Sequence, residues 1–589
     1  RIRTKADTPD PTSYRKALRE VIARCIYGVD FNPQAVRLCK VALWLESHNP
    51  GESLGFLDHH IKCGDSLVGI TQASELLDPI PEAAFAQRDG DDKDFAATLR
   101  KQHKKELTEA GTKQTMFDWR NKVGENLKSI IETLKTVSNM IDSTPEESQH
   151  KKEAYYLATE GEAWRKLKAL ADIKLSPFFL PKTQSTPLAT EQVYRDFLNG
   201  KEDITGHPIA KAAASIADTR RFFHWFLEFA EVMQEGGFDC FLGNPPFLGG
   251  QKISGSFGKR YLEYLKLAYA PAGSMDLVGY FVRRNYNLLK DKRSLGTLAT
   301  NTIAQGGTRQ GGLEVIEKAG GTIVMAVRSR PWPGVAAVEV SLAAIYKGSW
   351  QGKRVLDGKQ VDFISTYFDD QRTSGNPYPL AANAEKSFQG SIVLGKGFVL
   401  EPAEAEVLIA RNPKNRDVLF PYLNGEDLNS RSDQSPSRWV INFYDWPLNR
   451  KTAPQGYTGP VAADYPDCLE IVERLVKPER DKLKDDNSTS IRRKIFWWQY
   501  GSDAKQLYRT IAPLERVMGI PETTKYLNLV YLPTNITFSH ACKLVIFDYP
   551  IAYSILNSVF HEAWIVKNCS TLDTRFKYIT TDGFETFPF

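Results

Sequence analysis

The sequence has few residues of the types that build metal centres and disulfide frameworks. Its 589 residues include seven cysteines and nine histidines, and no two cysteines form a Cys-x-x-Cys pair. Zinc sites need closely spaced ligands, and disulfide-rich secreted domains need regularly spaced cysteines. We therefore expect no metal site, and we expect the cysteines to be reduced core residues. The adjacent His59 and His60 have no third ligand nearby, so we expect them to pack or to face solvent.

Long hydrophobic runs are also missing. No stretch approaches the roughly 18 consecutive apolar residues of a membrane span, and no signal-peptide pattern is present. We therefore expect a cytoplasmic protein that does not contact membranes. An apolar fraction of 42% and a mean hydropathy of -0.37 indicate a globular chain, and 589 residues predict several domains. The net charge of +5 permits nucleic-acid binding without requiring it.

The most informative stretch is an apolar strand that runs into two prolines. Residues 238–242 have the composition of a central strand, and Asn244 follows directly before Pro245 and Pro246. The two prolines restrict the backbone and hold the amide at the carboxyl edge of the sheet, where open α/β folds bind ligands. The Asn244 oxygen and the Pro245 carbonyl could accept the two hydrogens of an exocyclic amine, and Phe247 could stack on a planar base. An ordinary loop that starts a helix is the alternative.

The segment Gly243-Asn244-Pro245-Pro246-Phe247 resembles the catalytic motif of amino-methyltransferases that modify N6 of adenine in DNA. The resemblance implies an α/β fold with a Rossmann-like class I S-adenosylmethionine-dependent methyltransferase core. It also implies S-adenosylmethionine as cofactor and double-stranded DNA as partner, with other restriction or defence-system subunits as further candidate partners. The catalytic residues it implies are Asn244, Pro245, Pro246 and Phe247.

Two further segments resemble the cofactor-binding parts of this family. An acid at the tip of a strand, such as Asp30, can bond both hydroxyls of a ribose, although an acid there can also cap the next helix. The family resemblance assigns Asp30 to the ribose and Phe31 to packing on the adenine. It assigns Asp65, beside Ser66, to the adenine amino group. The set of predicted cofactor-binding residues is Asp30, Phe31, Asp65, Ser66, Asp276 and Phe281.

Composition divides the chain into four predicted segments. A charge-rich region with helical spacing of apolar residues indicates a helical insertion, and polar residues 249–255 suggest a lid. We predict the N-terminal part of the methyltransferase core at 1–74, the helical insertion at 75–212, the catalytic part of the core at 213–365 and a mixed α/β target-recognition domain at 366–589.

The C-terminal segment alternates aromatic and basic residues, as in Arg492 to Tyr500. Such a surface could neutralise phosphates and contact bases, although we expect about two thirds of the rings to lie in the core. Residues 422–428 and 584–589 resemble parts of the target-recognition domains of type IIG restriction-modification enzymes and of BREX and DISARM phage-defence methyltransferases.

The family also uses a glycine-rich Asp/Asn-Pro-x-x-Gly-x-Gly loop after the first strand of its sheet, because the cofactor approaches the backbone closely there. No such loop precedes Asp30, so we expect this strand and loop to lie before Arg1 or to be missing, and we expect weak cofactor binding by this chain alone. We find no nuclease-type cluster of carboxylates and lysine. The leading hypothesis is a site-specific DNA adenine-N6 methyltransferase of restriction-modification or phage defence. The alternatives are a non-catalytic DNA-binding subunit of a defence complex and an RNA or protein-amine methyltransferase.

Overall fold

The computed structural model describes residues 10–110, 117–332, 339–372, 375, 377–483, 488–547, 549–572 and 575–589. Two compact units of mixed α/β structure make up the chain. The first unit contains Arg1–Arg330 and Val340–Gln371, and the second contains Pro331–Glu339 and Arg372–Phe589. Within the described ranges, no helix is both long enough and apolar enough to cross a membrane.

Parallel strands in the first unit bring the predicted site segments to the carboxyl ends of two sheets. Strands β1 and β2 pair in parallel, so that Asp30 lies opposite Cys63. A six-stranded sheet has the order β3-β4-β6-β5-β7-β8, with β4 parallel to β3 and antiparallel to β6. The strands are β1 Gly28–Asp30, β2 Ile61–Cys63, β3 Phe238–Gly243, β4 Leu289–Thr300, β5 Gly321–Pro331, β6 Glu339–Lys347, β7 Arg354–Leu356 and β8 Lys359–Val361.

Helices occupy most of the chain between β2 and β3. Local capping fixes the starts of α1 and α2, the two helices that precede β2. Asp10 accepts hydrogen bonds from the first turn of α1, and Asn32 accepts one from the first turn of α2. Pro33 stands at the start of α2, where its missing N–H costs nothing. The helices of this unit are α1 Pro11–Cys25, α2 Pro33–Glu46, α3 Lys93–Ala110, α4 Phe117–Asn139, α5 Pro145–Thr159, α6 Glu162–Phe179, α7 Glu191–Leu198, α8 Pro208–Arg220, α9 Trp225–Glu228, α10 Ala230–Gln234, α11 Gly250–Phe257, α12 Lys259–Ala268, α13 Leu277–Leu288, α14 Gly306–Gly311 and α15 Leu313–Lys318.

The largest hydrophobic core of the first unit lies among the helices between β2 and β3. Helix α6 is buried along most of its length, which places it at the centre of this core. The same cluster includes Leu67 and Val68, which follow Asp65, and Leu277 and Tyr280 of α13. The helical region therefore packs directly against the segments that carry the predicted site.

Two sequence predictions are wrong in detail. Residues 249–255 do not form a polar lid: they begin α11, because the fully buried Ile253 anchors that segment to the core. The cysteines are free, as predicted, but four of the seven are exposed rather than buried in the core. The exposed cysteines are Cys25, Cys39, Cys63 and Cys240, and the buried ones are Cys468, Cys542 and Cys569.

The described strands of the second unit form three small sheets, with orders β10-β12-β11-β16, β15-β13-β17-β9 and β14-β19-β18. Its strands are β9 Ser387–Gln389, β10 Val399–Leu400, β11 Leu419–Leu423, β12 Arg438–Ile441, β13 Arg516–Pro521, β14 Thr523–Thr524, β15 Val530–Pro533, β16 Thr537–Phe538, β17 Cys542–Val545, β18 Ser570–Leu572 and β19 Arg575–Lys577. Its helices are α16 Pro402–Arg411, α17 Gly425–Ser430, α18 Pro466–Leu475, α19 Lys477–Asp481, α20 Ser488–Ile495, α21 Lys505–Ile511, α22 Ile551–Leu556 and α23 Val559–Asn568.

Candidate functional site

The Asn-Pro-Pro-Phe segment forms the loop that leaves the carboxyl end of β3. Pro245 is buried, whereas Asn244, Pro246 and Phe247 are exposed. No hydrogen bond joins the Asn244 side chain to another residue in the part of the chain that the structure describes. The ring of Phe247 remains 43% exposed, although large apolar side chains are usually buried. An amide acceptor and an aromatic face are therefore both open to a ligand at one loop.

Three hydrogen bonds brace this loop directly after the prolines. The Leu248 N–H donates to the Pro246 carbonyl at 3.0 Å, and the Leu277 N–H donates to the Leu248 carbonyl at 2.9 Å. The Gly250 N–H donates to Asp276 Oδ1 at 2.9 Å. The first turn of α13 therefore holds the segment that follows the prolines, as a preorganised site requires.

Asp276 connects this loop to the end of β4. Its second carboxylate oxygen, Oδ2, accepts a hydrogen bond from Thr302 Oγ1 at 2.8 Å, and its own N–H donates to Thr308 Oγ1 at 3.0 Å. Gly250 must be glycine for this arrangement, since a Cβ there would lie 2.7 Å from the Met275 carbonyl oxygen. Asp276 thus contacts the loop rather than an open ligand surface.

Asp30 lies at the carboxyl end of β1 with its side chain exposed. Its Oδ1 atom accepts a hydrogen bond from the Asn32 N–H at 2.6 Å, and its carbonyl accepts one from the Gly64 N–H at 3.0 Å. Asn32 caps α2, so the alternative that Asp30 is itself the helix cap is wrong. The carboxylate therefore keeps acceptor capacity for a ligand at the strand tip.

Arg221 joins the segments that follow β1 and β2, and sequence reasoning missed it. Its guanidinium lies 4.7 Å from the centre of the half-exposed Phe31 ring and also donates to the Phe31 carbonyl. Its carbonyl accepts a hydrogen bond from the Asp65 N–H at 2.6 Å. Arg221 ends α8 in the left-handed region, with φ of 55°, a position where glycine is usual. No sequence signal marks an arginine there, because its partners are about 150 or more residues away.

Asp65 is buried, with 5% of its surface exposed. Its Oδ1 atom accepts a hydrogen bond from the Leu67 N–H at 3.0 Å, and the Tyr261 hydroxyl also bonds to its carboxylate. Burial raises the pKa of Asp65 to about 6, against the smaller opposing effect of these hydrogen bonds. The neighbouring Ser66 is half-buried, and its carbonyl accepts a hydrogen bond from Trp225 Nε1 at 3.1 Å.

Helices α11 and α12, which follow the loop after β3, contact the segments after β1 and β2. The Phe257 ring meets the Phe31 ring edge-on at 6.2 Å, and Tyr261 stacks on Phe257 at 4.9 Å. Tyr261 in turn bonds to Asp65. The structure therefore links Phe31 and Asp65 through the helices that follow the Asn-Pro-Pro-Phe loop. Phe281 is elsewhere: it is half-buried and packs against the helical core.

The segment after Asp65 is held by residues that are distant in sequence. The Ile70 N–H donates to His224 Nδ1 at 3.2 Å, so the neutral ring donates from Nε2 to Asp172 of α6 at 2.9 Å. Arg284 of α13 donates to the Leu67 carbonyl at 3.0 Å. The helical region and α13 together define the conformation that keeps Asp65 buried.

His59 and His60 pack in the core. Their side chains are buried, and the His59 ring stacks on Phe56 with an interplanar angle of 2°. Across the residues described by the structure, no group of three or more His, Cys, Asp or Glu side chains could hold a metal ion. Of the two roles expected from the sequence, packing or facing solvent, the structure shows packing.

Residues 24–316 match the Eco57I restriction-modification methylase family. A protein of Methanocaldococcus jannaschii, named "Putative type II restriction enzyme and methyltransferase RM.MjaORFECS2P", is 23% identical over 304 residues, which are 49% of this chain and 22% of that protein. The chain thus covers well under two thirds of this relative's length.

Two solved structures align with parts of the chain at low identity. One is the type IIL restriction-modification enzyme MmeI in complex with DNA, at 14% identity and a TM-score of 0.47, covering 74% of this chain and 61% of that one. The other is a nuclease-deletion mutant of the type ISP restriction-modification enzyme LlaGI in complex with a DNA substrate mimic, at 12% identity and a TM-score of 0.31. It covers 95% of this chain and 56% of that one.

Proposed function

We propose that this chain, whose residues 24–316 match the Eco57I restriction-modification methylases, is a site-specific DNA adenine-N6 methyltransferase. It transfers a methyl group from S-adenosylmethionine to a flipped adenine, in restriction-modification or phage defence. The observation that carries the proposal is the braced loop after β3, in which Asn244 and Phe247 are both exposed. A Rossmann-like core fits the parallel β3 and β4 with β6 antiparallel beside them.

The reaction needs positioning more than acid-base chemistry. An adenine turned out of the duplex stacks on Phe247 and donates its two amino hydrogens to Asn244 Oδ1 and the Pro245 carbonyl. These two acceptors draw the amino nitrogen away from conjugation with the ring, so its lone pair becomes nucleophilic. The nitrogen would attack the methyl carbon that S-adenosylmethionine supplies. The methyl carbon to sulfur bond would break with its electron pair going to sulfur, and the nitrogen would lose one proton to solvent. Orientation and fixed dipoles supply the rate enhancement.

The segments after β1 and β2 suit the cofactor, which supplies the activated methyl group. The exposed Asp30 carboxylate would bond the ribose hydroxyls, and Phe31 would pack on the adenine. Asp65 and the adjoining Ser66 would lie beside the amino group of the cofactor's adenine. We infer indirect roles for Asp276 and Phe281, since the first binds the loop and the second packs against the helical core.

Asn244→Ala tests the proposal. We expect this variant to lose methyl transfer to duplex DNA while it keeps its affinity for the duplex, because only the amine acceptor is removed. Digestion of the product to nucleosides and mass spectrometry would identify N6-methyladenine. Asn199→Ala, which removes an amide at the end of α7, is the matched control and should methylate normally.

The substrate class follows from the same assay. Duplex DNA, RNA of the same sequence and a glutamine-containing peptide would be compared as methyl acceptors. Turnover by Asn244→Ala, or a methylated base other than adenine, contradicts the proposal. Duplex binding without methyl transfer by the unmodified protein, at S-adenosylmethionine concentrations that saturate it, supports a non-catalytic DNA-binding subunit instead.

A further inference from the structure

The basic and aromatic stretch from Arg492 to Tyr500 is divided between core and surface in the second unit. Trp497, Trp498 and Tyr500 are buried, whereas Phe496 is 38% exposed. Arg492, in the last turn of α20, is exposed as well. The Phe496 ring thus lies on the surface next to cationic side chains, whereas the other rings of this stretch are buried in the core. We call Arg492, Arg493 and Phe496 the α20 platform.

A buried arginine makes this platform rigid. Arg480 is 1% exposed, and its guanidinium donates to the carbonyls of Phe496 at 3.2 Å, Trp497 at 3.1 Å and Gln499 at 2.6 Å. It also donates to the Leu394 carbonyl at 3.0 Å. One side chain therefore holds three carbonyls of the turn that follows α20. A surface fixed in this way loses little conformational freedom when it binds a partner.

Acidic partners for the cations of the platform are absent among the residues that the structure describes. No ion pair to a described acidic residue involves Arg492 or Arg493, and the buried Nε of Arg493 has no hydrogen-bond acceptor. Burial, followed by the charges of Arg493 and Arg492, lowers the pKa of Arg480 to about 10. The positive charges of Arg492 and Arg493 therefore act unfavourably on Arg480, and a bound anion would offset this effect.

We propose that Arg492 and Arg493 bind phosphates of the DNA backbone and that Phe496 packs against the nucleotide beside them. Guanidinium groups suit this role because their planar N–H donors match phosphate oxygens in pairs. An exposed ring beside them adds an apolar contact to a sugar or base. The choice of DNA among polyanions rests on the proposed function, whereas the presence of an anion site rests on the arginine cluster alone.

The test is the salt dependence of duplex binding, measured by fluorescence anisotropy with a labelled duplex. Removing two phosphate contacts should reduce the slope of log K against log salt concentration by about 1.8, since each contact contributes about 0.9. We therefore expect Arg492→Ala/Arg493→Ala to bind more weakly and with this smaller slope. Phe496→Ala should weaken binding about tenfold without changing the slope, because it removes stacking and no charge.

Lys451→Ala/Arg509→Ala is the matched control, as it removes two exposed cations from the same unit. It should leave the slope unchanged. An equal fall in slope for both double variants, or no fall for the platform variant, overturns the proposal. The proposal would also be overturned if Arg492→Ala/Arg493→Ala lost as much affinity for heparin as for the duplex, because that result indicates a general effect of charge. If the double variant melts early, Arg492→Ala alone should still reduce the slope by about 0.9.

This experiment separates the platform from the proposed reaction. Binding is measured without cofactor, so the expected change in slope does not depend on methyl transfer. Methyl transfer by Asn244→Ala would contradict the proposed function and leave the platform intact. An unchanged slope in the platform variant would contradict the platform and leave the reaction intact.

Discussion

Replacing Asp276 by alanine tests whether the loop after β3 depends on the support it receives from α13. Asp276 accepts hydrogen bonds from the Gly250 N–H at 2.9 Å and from Thr302 Oγ1 at 2.8 Å. The alanine variant loses both, and the Gly250 N–H loses its acceptor. The change leaves Asn244 itself unaltered, so any effect on methyl transfer comes from a change in the conformation of the loop that carries Asn244.

The size of the effect follows from these two bonds. A hydrogen bond to a charged group contributes about 1.5 kcal/mol at the low end of its range, which suits a half-buried carboxylate. Two such bonds contribute about 3 kcal/mol. If this free energy holds the loop in its competent conformation, its loss corresponds to a fall in kcat of about 100-fold. Asp276→Asn keeps an acceptor for Gly250 and can donate to Thr302, so we expect a fall of only about tenfold.

Single-turnover methyl transfer and the KM for S-adenosylmethionine separate the two roles that Asp276 could have. Loop support predicts a lower kcat with little change in this KM, and partial rescue in Asp276→Asn. Asp291→Ala is the control. It removes an exposed carboxylate that pairs with Lys347 between β4 and β6 and makes no bond to the loop residues that the structure describes. Wild-type kcat in Asp276→Ala, or a change confined to the KM for the cofactor, would refute the reasoning.

Three further predictions concern the segments around β2. Burial raises the pKa of Asp65 to about 6, so its stabilisation is complete below about pH 4 and is lost as the pH rises through 6. Asp65→Asn should therefore raise the melting temperature at pH 8 but not at pH 4, and equal shifts at both pH values would contradict this. Burial lowers the pKa of His59, whose stabilisation is present above about pH 6.5 and is lost as the pH falls. His59→Phe should reduce the loss of unfolding free energy below pH 6.5 by up to about 1.4 kcal/mol per pH unit, as measured by urea titration. Gly69→Ala should destabilise the protein by several kcal/mol, because its Cβ would lie 1.7 Å from the Phe223 carbonyl oxygen. Gly255→Ala, with no atom within 4 Å of the added Cβ, should unfold at the wild-type urea concentration or slightly above it.

Local sequence signals predict some elements well and others poorly. The helix after Asp30 is foreseen because Asn32 and Pro33 form a standard start. The strand before Asn244 is foreseen because its residues are apolar and follow two glycines, but the central position predicted for it is wrong. Among the described strands β3 lies at the edge of its sheet, and Leu242 is 86% exposed. The lid predicted at 249–255 is wrong, since glycine and serine there permit a loop but do not require one. The burial of Ile253 and the hydrogen bond from the Gly250 N–H to Asp276 favour a helix, and neither can be predicted from that segment alone.

The candidate site shows the same division. The residue types and their order along the chain indicate an amine acceptor at Asn244 and a ribose acceptor at Asp30, because each depends on a strand followed by a short polar tip. Whether Asp276 faces a ligand or holds a loop cannot be predicted in this way. That role depends on Thr302 and Gly250, which lie 26 residues from it on either side.

By itself, the sequence determined which chemical groups the chain can offer and where strands end, since composition, caps and prolines act over a few residues. Only the tertiary structure decided which of these groups meet. Arg221 is an unremarkable residue in the sequence, yet it touches Phe31 and Asp65 because the chain returns to β1 and β2 after the helical region. The burial that raises the pKa of Asp65, and the burial of Arg480 beneath the α20 platform, likewise come from packing between distant segments. The physical reason is that burial and long-range hydrogen bonds are properties of the packed chain, whereas capping and backbone restriction belong to neighbouring residues.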